Sequence, residues 1–241
     1  MQLTNKVAVV TGAARGLGRA YAEALADEGA AVVAADLNDC SDSVAAVEAA
    51  GGQAIAATVD VADGDSCQNM AELAMQAFGR VDILINNAAL YAGLKGARFE
   101  QLDEDQWDRV MRVNIKGTWL TSRAVVGHMR ASGGGSIINI ASLAAVFGLP
   151  YGLDYVASKA AVIGMTRGMA RELGPDHIRV NAVAPSAVMT EGTEEFFGEP
   201  VQKAEAVIAA HQLIPLDLYT GGLTGAIVYL ACDASRFVTG Q

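Results

Sequence analysis

The chain has 241 residues, and 27 acidic against 17 basic side chains give it a formal net charge of −10 with the histidines neutral. Because affinity for nucleic acid and for anionic membrane surfaces comes largely from Lys and Arg, this balance disfavours both as partners. Apolar residues make up 52% of the chain and charged residues only 18%, so we expect a compact fold.

Short β-branched runs alternate with helical patterns along most of the chain, which is typical of a parallel sheet with helices on both faces. The predicted strands span residues 7–11, 31–35, 54–59, 81–86, 136–141 and 179–184. Apolar residues at helical spacing follow the first strand, and longer helical patterns cover 105–131 and 154–173. The pattern predicts an α/β fold with a doubly wound, Rossmann-like parallel sheet in a single domain over residues 1–241.

The stretch 186–220 breaks this alternation. It carries several acidic residues against Lys203 alone, and it contains the adjacent aromatics Phe196 and Phe197. One interpretation is a solvated surface helix. The other, which we expect, is a lid with an apolar inner face inserted over the binding cleft.

A glycine-rich turn joins the first strand to the first helix, with Gly12, Gly16 and Gly18 at G-x-x-x-G-x-G spacing. Glycines let the backbone approach a pyrophosphate, which the amides and dipole of the helix N-terminus stabilise. The spacing is not the commonest dinucleotide fingerprint, and no Lys-Ser/Thr follows to bind a nucleoside triphosphate. Asp36 at the end of the second strand can accept hydrogen bonds from an adenosine ribose, which favours a dinucleotide site.

Two side chains beside this turn favour different dinucleotides. A carboxylate at Asp36 would repel the additional phosphate of NADP, whereas a guanidinium at Arg15 could bind that phosphate or lie in solvent. A flexible neighbour cannot remove like-charge repulsion, so the carboxylate carries more weight and we expect NAD.

A second group of polar residues follows in the chain. Tyr155 and Lys159 are four residues apart in a helical pattern, so both project from one face. Ser142 follows an apolar strand at the edge where a parallel sheet presents residues to its ligand cleft. Asn114 lies in the preceding helical pattern, where its poor helix propensity invites a functional explanation; an incidental polar residue is the equal alternative at this point. Ser142 is not interpreted as a hydrolase nucleophile, because no catalytic histidine is near it in the sequence.

With these residues the sequence resembles the short-chain dehydrogenase/reductase family over essentially the whole chain. Residues 11–18 are similar to its glycine motif, 86–89 to its Asn-Asn-Ala-Gly stretch and 185–190 to its Pro-Gly segment. The resemblance implies a catalytic tetrad of Asn114, Ser142, Tyr155 and Lys159. It implies cofactor contacts at Gly12, Arg15, Gly16, Leu17, Gly18, Asp36, Leu37, Asp60, Val61, Asn87, Ala88, Tyr155, Lys159, Val188 and Thr190. In that family the Asp60-Val61 pair holds adenine, and Val188 and Thr190 meet the nicotinamide carboxamide.

The family implies an NAD(P)-linked interconversion of an alcohol and a carbonyl group. Tyr155 as phenolate would take the hydroxyl proton as hydride leaves carbon for the nicotinamide. A free tyrosine titrates near ~10, so bringing its pKa to ~7 requires about 4 kcal/mol, which the Lys159 ammonium and the nicotinamide ring would supply. Ser142 would hydrogen-bond the substrate oxygen, and Asn114 would place a water beside Lys159.

The candidate substrate pocket is apolar, and we expect a small or medium, largely apolar secondary alcohol or its ketone. Its candidate residues are Leu143, Leu149, Tyr151, Val188, Phe196, Phe197 and the loop 90–94. One alternative is a 3-oxoacyl-thioester reductase of fatty-acid metabolism, although the acidic 186–220 stretch disfavours a dock for an acidic carrier protein. Another is a catalytically inactive, cofactor-sensing protein, which the intact Ser142, Tyr155 and Lys159 disfavour.

Some positions depart from the family pattern. Ala89 and Ser186 each stand where the family usually has glycine, and family members usually continue past residues 237–241 through one last strand. The helical patterns that bear Asn114 and Tyr155 resemble those through which family members pair, so we expect a homotetramer.

The cysteines and the N-terminal residues help to predict the cellular compartment of the protein. Cys40, Cys67 and Cys232 are widely spaced without a C-x-x-C pair, which indicates neither a disulfide framework nor a thiolate metal site. The histidines also lack metal-ligand spacing, so we expect no metal. The chain enters its first strand without a basic and apolar leader, and no apolar run approaches the ~20 residues that span a bilayer. We therefore expect a cytoplasmic protein.

Overall fold

The computed structural model describes residues 1–197, 212–214, 216 and 218–241. Part of the predicted lid over 186–220 therefore lies outside the described residues, as does the side chain of Phe197.

Six parallel strands form one sheet in the order β3-β2-β1-β4-β5-β6. They are β1 (Val7–Thr11), β2 (Ala31–Asp36), β3 (Gln53–Thr58), β4 (Ile83–Asn86), β5 (Gly135–Ile140) and β6 (Ile178–Val183). In the centre of the sheet Val9 pairs with Val33 on one side and Leu84 on the other, and all three are fully buried. The predicted doubly wound parallel sheet is confirmed, and each strand boundary lies within two residues of its predicted position.

Helices cover both faces of this sheet. The described α-helices are α1 (Gly16–Asp27), α2 (Ser41–Ala49), α3 (Gly64–Phe78), α4 (Glu104–Val110), α5 (Gly117–Ala131), α6 (Ala144–Phe147), α7 (Leu153–Leu173), α8 (Glu191–Phe197) and α9 (Gly221–Ala231). Buried residues of α1, α2 and α9 pack on one face, and those of α3, α5 and α7 pack on the other. The apolar sheet is thus enclosed between two helical layers, as the continuous apolar strands require.

The predicted helix over 105–131 is interrupted. A π-helical turn at Met111–Lys116 separates α4 from α5 and contains the buried Asn114. Such turns add a residue to the helical repeat and are frequent at functional sites. The prediction of a continuous helix is therefore wrong at this point, and the turn places Asn114 against residues of other elements.

The last residues of the chain lie beside β6. The Gly240 amide donates to the Val180 carbonyl at 2.7 Å, and the Ala182 amide donates to the Gln241 carbonyl at 2.7 Å. These hydrogen bonds occupy part of the edge of β6 where the family resemblance led us to expect a further strand.

The described residues contain neither a helix that could span a membrane nor a cluster of side chains that could bind a metal. Within these ranges no helix has the length and apolar character needed to cross a bilayer. The same residues contain no cluster of three or more His, Cys, Asp or Glu side chains that could hold a metal ion.

Candidate active site

The order of the strands reverses at the centre of the sheet, because β2 lies on one side of β1 and β4 on the other. Ligands of open parallel sheets bind beyond the carboxyl ends of the strands at such a point. Thr11 ends β1, Asp36 ends β2, Asn86 ends β4 and Ile140 ends β5, all at this edge. The predicted site residues that follow these strands therefore lie around one crevice.

The glycine turn requires glycine at specific positions. Gly12 and Gly16 have φ angles of +67° and +58°, which disfavour other residues. A Cβ at Gly12 would lie 2.8 Å from Asn87 Nδ2, and a Cβ at Gly18 would collide with the Gly12 carbonyl oxygen. On the inner side of the turn, the backbone at Gly12 and Gly18 therefore lies so close to its neighbours that a side chain would not fit.

The outer side of this turn fits a dinucleotide. Helix α1 begins without a side-chain cap and without an acidic residue in its first turn, so its N-terminal amides and dipole remain available to an anion. A Cβ at Gly16 would project toward Thr190, 3.6 Å away, into the space between the turn and the segment after β6. The turn and Thr190 therefore form the two sides of a cradle suited to a pyrophosphate.

The hydroxyl of Thr11 fixes the turn to the end of β4. It accepts hydrogen bonds from the Asn87 and Ala88 amides, both at 3.1 Å, and donates to the Ile85 carbonyl at 3.2 Å. Asn87 Nδ2 donates in return to the carbonyls of Thr11 and Gly12, at 3.0 and 3.1 Å. Thr11 was included in the predicted glycine motif, but its side chain was assigned no role. The hydroxyl at the end of an otherwise apolar strand was the feature that could have indicated one.

The carboxylate of Asp36 is held beside the turn. Its Oδ2 accepts from the Ala14 amide at 3.1 Å, and its Oδ1 accepts from the Asn38 amide at 2.9 Å. Leu37 follows it with an exposed side chain. A carboxylate fixed by backbone donors next to an uncapped helix N-terminus can accept ribose hydroxyls, as the sequence predicts.

Arg15 does not project freely into solvent. Its Nη1 lies 2.6 Å from Glu195 Oε1 and its Nη2 lies 3.2 Å from Glu195 Oε2, so the guanidinium binds the carboxylate through both nitrogens. Glu195 belongs to α8, which sequence reasoning assigned to the lid. The sequence did not indicate this pairing, because the two residues are 180 positions apart.

The remaining predicted cofactor residues lie at two ends of the crevice. Asp60 and the buried Val61 follow β3, where Asp60 Oδ1 accepts from the Ala62 amide at 2.8 Å. Val188 follows β6 and is buried, and its carbonyl accepts from Thr193 Oγ1 at 2.7 Å.

Lys159 is buried beside Tyr155 on α7. Its Nζ donates to the Ile140 carbonyl at 2.8 Å and lies 5.8 Å from the centre of the Tyr155 ring. Only 4% of the residue is exposed, and burial of the ammonium lowers the pKa of Lys159 to about 8. The structure therefore brings the predicted Tyr-Lys pair together at the carboxyl end of β5.

Tyr155 is partly buried, and Ser142 is its hydrogen-bond partner. Burial raises the pKa of Tyr155 above its ordinary value, and the hydrogen bond with Ser142 opposes that rise. Ser142 Oγ in turn accepts from the Ala144 amide at 3.1 Å. We expect a lowered pKa for a catalytic tyrosine. The residues around Tyr155 do not by themselves lower its pKa.

Asn114 connects the loop after β4 to α7. Its Oδ1 accepts from the Leu90 amide at 2.7 Å, and its Nδ2 donates to the Leu90 carbonyl at 3.2 Å and to Ser158 Oγ at 3.0 Å. Ser158 Oγ donates to the Tyr155 carbonyl at 2.8 Å. We expected Asn114 to place a water beside Lys159, whereas its amide bonds to these groups. Sequence reasoning missed Ser158, whose position between Tyr155 and Lys159 on α7 was the available signal.

Aromatic rings line the space over Tyr155. Tyr91 stacks on Phe196 with ring centres 4.5 Å apart and an angle of 19° between the planes. The Tyr155 ring lies 5.0 Å from Tyr91 and 6.5 Å from Phe196. Tyr151, another predicted pocket residue, is 65% exposed and does not contribute its ring to this stack. Tyr91 belongs to the predicted loop 90–94 but was not singled out from it.

A parallel sheet with a glycine turn at its switch point and a Tyr-Lys pair at the same edge is typical of dinucleotide-dependent oxidoreductases. The profile of the family described as short chain dehydrogenase matches residues 6–200. The chain therefore belongs to the short-chain dehydrogenase/reductase family.

Known proteins similar to this chain span nearly its whole length. An uncharacterized oxidoreductase of Mycobacterium tuberculosis is 44% identical over 98% of this chain and 94% of that protein. A 3-oxoacyl-[acyl-carrier-protein] reductase of Thermotoga maritima is 37% identical over 100% of this chain and 96% of that protein. The crystal structure of carveol dehydrogenase from Mycobacterium avium in complex with NAD has a TM-score of 0.93 at 31% identity, covering 99% of this chain and 95% of that one.

Proposed function

We propose that the protein is an NAD-dependent dehydrogenase that interconverts a largely apolar secondary alcohol and its ketone. The observation that carries this proposal is the group formed by the buried Lys159 and the partly buried Tyr155 and Ser142 at the carboxyl end of β5, on the same edge of the sheet as the glycine turn.

Tyr155 is the general base in alcohol oxidation and the general acid in ketone reduction. Its hydroxyl oxygen exchanges the proton with the substrate oxygen, while Ser142 holds that oxygen by a hydrogen bond. Lys159 places a cation beside the developing phenolate, and Asn114 acts as a positioning residue through Leu90 and Ser158. When bound, NAD supplies the acceptor for the hydride that leaves the carbinol carbon.

The residues that would hold the dinucleotide lie at or beyond the carboxyl ends of all six strands. The uncapped N-terminus of α1 and its glycines suit the pyrophosphate, and the fixed carboxylate of Asp36 suits the adenosine ribose. The other proposed contacts are Arg15, Leu17, Leu37, Asp60, Val61, Asn87, Ala88, Tyr155, Lys159, Val188 and Thr190. The NAD in the carveol dehydrogenase structure supports the choice of cofactor class.

The rings of Tyr91 and Phe196 support an apolar substrate, because a carbinol presented to Tyr155 would place its carbon skeleton against them. A second candidate is the reduction of a 3-oxoacyl thioester, which the name of the Thermotoga maritima relative favours.

The test is an absorbance assay of reduced nicotinamide with a panel of secondary alcohols and ketones, and with 3-oxobutanoyl thioesters. We expect turnover of apolar secondary alcohols with NAD. Turnover of the thioesters alone would establish the second candidate, and no turnover of any substrate would contradict both.

Asp36 is expected to select NAD over NADP. In Asp36→Asn the charge that repels the additional phosphate is lost, so binding of NADP should tighten about tenfold. Binding of NAD should weaken about tenfold, because a hydrogen bond from a ribose hydroxyl to a charged acceptor contributes roughly 1.5 kcal/mol or more. Kd values from fluorescence titration of the two reduced dinucleotides measure both changes. Asp39→Asn is the control, since it removes an equal charge three residues away; an equal response of both variants would contradict the role of Asp36.

Three broader expectations remain proposals. We propose that residues 186–220 form a lid and that the enzyme is a cytoplasmic homotetramer. An apolar groove between the π-helical turn, α5 and α7, with the half-exposed Trp119 at its rim, supports pairing through these helices.

A further inference from the structure

The guanidinium of Arg15 and the carboxylate of Glu195 join the glycine turn to α8. The two contacts of 2.6 and 3.2 Å run between different nitrogens and different oxygens, which is the bidentate geometry in which arginine binds carboxylates. The same planar arrangement of donors binds phosphate oxygens. One arginine cannot offer this pair of donors to a carboxylate and to a phosphate at the same time.

Arg15 lies close enough to Asp36, the proposed ribose ligand, for the charge of that carboxylate to act on its guanidinium. Asp36, the proposed ribose ligand, accepts a hydrogen bond from the amide of Ala14, the residue before Arg15. Attraction from Glu195, Glu191 and Asp36 acts on the guanidinium and raises the pKa of Arg15, chiefly through the hydrogen bond with Glu195. Arg15 therefore lies within an acidic environment at the position that otherwise favours NADP.

The other basic side chain of this region is also engaged. Arg19 on α1 lies 3.4 Å from the carboxylate of Asp42 and donates to Ser43 Oγ at 3.0 Å. Among the described residues, both arginines between β1 and β2 thus have a carboxylate partner. The partner of Arg15 differs from that of Arg19 in coming from α8, on the far side of the crevice.

We propose that Glu195 is a cofactor-selecting residue, which binds Arg15 and so withholds it from the additional phosphate of NADP. This inference rests on the proposed function, since it assumes that a nicotinamide dinucleotide occupies the crevice. Selection against NADP then has two sources: Asp36 repels the phosphate, and Glu195 occupies the cation that would attract it. A purely structural role for Glu195 in holding α8 predicts no difference between the two dinucleotides.

Glu194 supplies a matched control. It is the neighbouring exposed glutamate on α8, so Glu194→Gln removes the same charge without removing the contact to Arg15. The experiment measures Kd for NADH and for NADPH by fluorescence titration in the wild type, Glu195→Gln, Glu194→Gln, Arg15→Gln and the double variant Arg15→Gln with Glu195→Gln. Binding is measured directly, so neither the alcohol substrate nor turnover is needed.

We expect Glu195→Gln to tighten NADPH binding about fivefold, the upper end for a solvent-exposed ion pair, and to change NADH binding less than twofold. Glu194 lines the groove beside Gly16 and Thr190, so Glu194→Gln should change the binding of both dinucleotides alike. The gain specific to NADPH should be absent in that variant, and it should disappear in the double variant because Arg15 is its source. Equal effects of the two single glutamate variants, or equal weakening of both dinucleotides by Glu195→Gln, would overturn the inference while leaving the proposed function intact. Failure of the wild type to bind NADH would overturn both.

Discussion

Tyr155→Phe is expected to lower the turnover number for secondary alcohols by at least ~10³-fold, within the range by which general acid-base groups accelerate reactions. The substitution removes one hydroxyl and keeps the ring that lies against Tyr91 and Phe196. The substrate proton then has no acceptor at the position that Tyr155 occupies. Binding of NADH should weaken far less than turnover falls, because the glycine turn and Asp36 are untouched.

Tyr91→Phe is the matched control for this experiment. It removes a hydroxyl from the adjacent ring, whose hydrogen-bond partner is Thr193, and should change turnover less than threefold. Initial rates with NAD and a secondary alcohol measure both variants, and circular dichroism verifies that each has folded. If Tyr155→Phe keeps more than a tenth of the wild-type turnover, Tyr155 is not the base.

Lys159→Met is expected to abolish measurable turnover and to change stability in a manner that depends on pH. Burial lowers the pKa of Lys159 from its ordinary 10.5 to about 8, so the folded protein disfavours the ammonium. Below about pH 8 this lowers the free energy of unfolding of the wild type by about 3 kcal/mol. The free energy of unfolding recovers as the pH rises from about 8 to 10.5, because at 10.5 the unfolded chain also loses the proton. Methionine fills much of the same space and carries no charge.

The measured quantity is the free energy of unfolding of Lys159→Met minus that of the wild type, from urea titrations between pH 7 and 10.5. This difference should fall by about 3 kcal/mol across the range. The loss of the hydrogen bond to the Ile140 carbonyl shifts it by a constant amount. Lys95→Met, at an exposed lysine, has no buried charge to remove and should give a difference independent of pH. If the difference in the free energy of unfolding between Lys159→Met and the wild type does not change with pH, the lysine is not destabilised by burial of its charge.

The effects of Lys159→Met on stability and on activity together test whether this lysine is retained for function. A buried ammonium that donates to the Ile140 carbonyl still weakens the fold at neutral pH, because burial disfavours its charge. If the variant is more stable near pH 7 but inactive, the site keeps a destabilising charge for its chemistry, as functional sites commonly do.

Local sequence patterns were sufficient to predict the sheet. Strands buried on both faces are continuous apolar runs, so β1 and β4 could be located from composition alone. The four-residue spacing of Tyr155 and Lys159 likewise predicted that both lie on one helix face, since a helix fixes that geometry without help from the rest of the chain.

Features that depend on distant contacts could not be predicted. The π-helical turn at Met111–Lys116 interrupts a sequence pattern that predicts one helix over 105–131, and Asn114 within it bonds to Leu90 and Ser158 from other elements. The acidic composition of 186–220 predicted a charged segment but not that Glu195 meets Arg15. The raised pKa of Tyr155 follows from burial, which depends on how α7 packs and not on local spacing.

We propose that Tyr155 becomes acidic when the dinucleotide is bound, and its ionisation can be measured directly. The measurement is the ultraviolet difference spectrum of the wild type minus Tyr155→Phe, followed through the phenolate absorption band over a pH titration with and without NAD. Without NAD, the phenolate of Tyr155 should form only above pH ~10, because burial raises the pKa of Tyr155. With saturating NAD it should form near pH ~7. A phenolate band that appears only above pH ~10 in the presence of NAD would contradict the assignment of Tyr155 as the base.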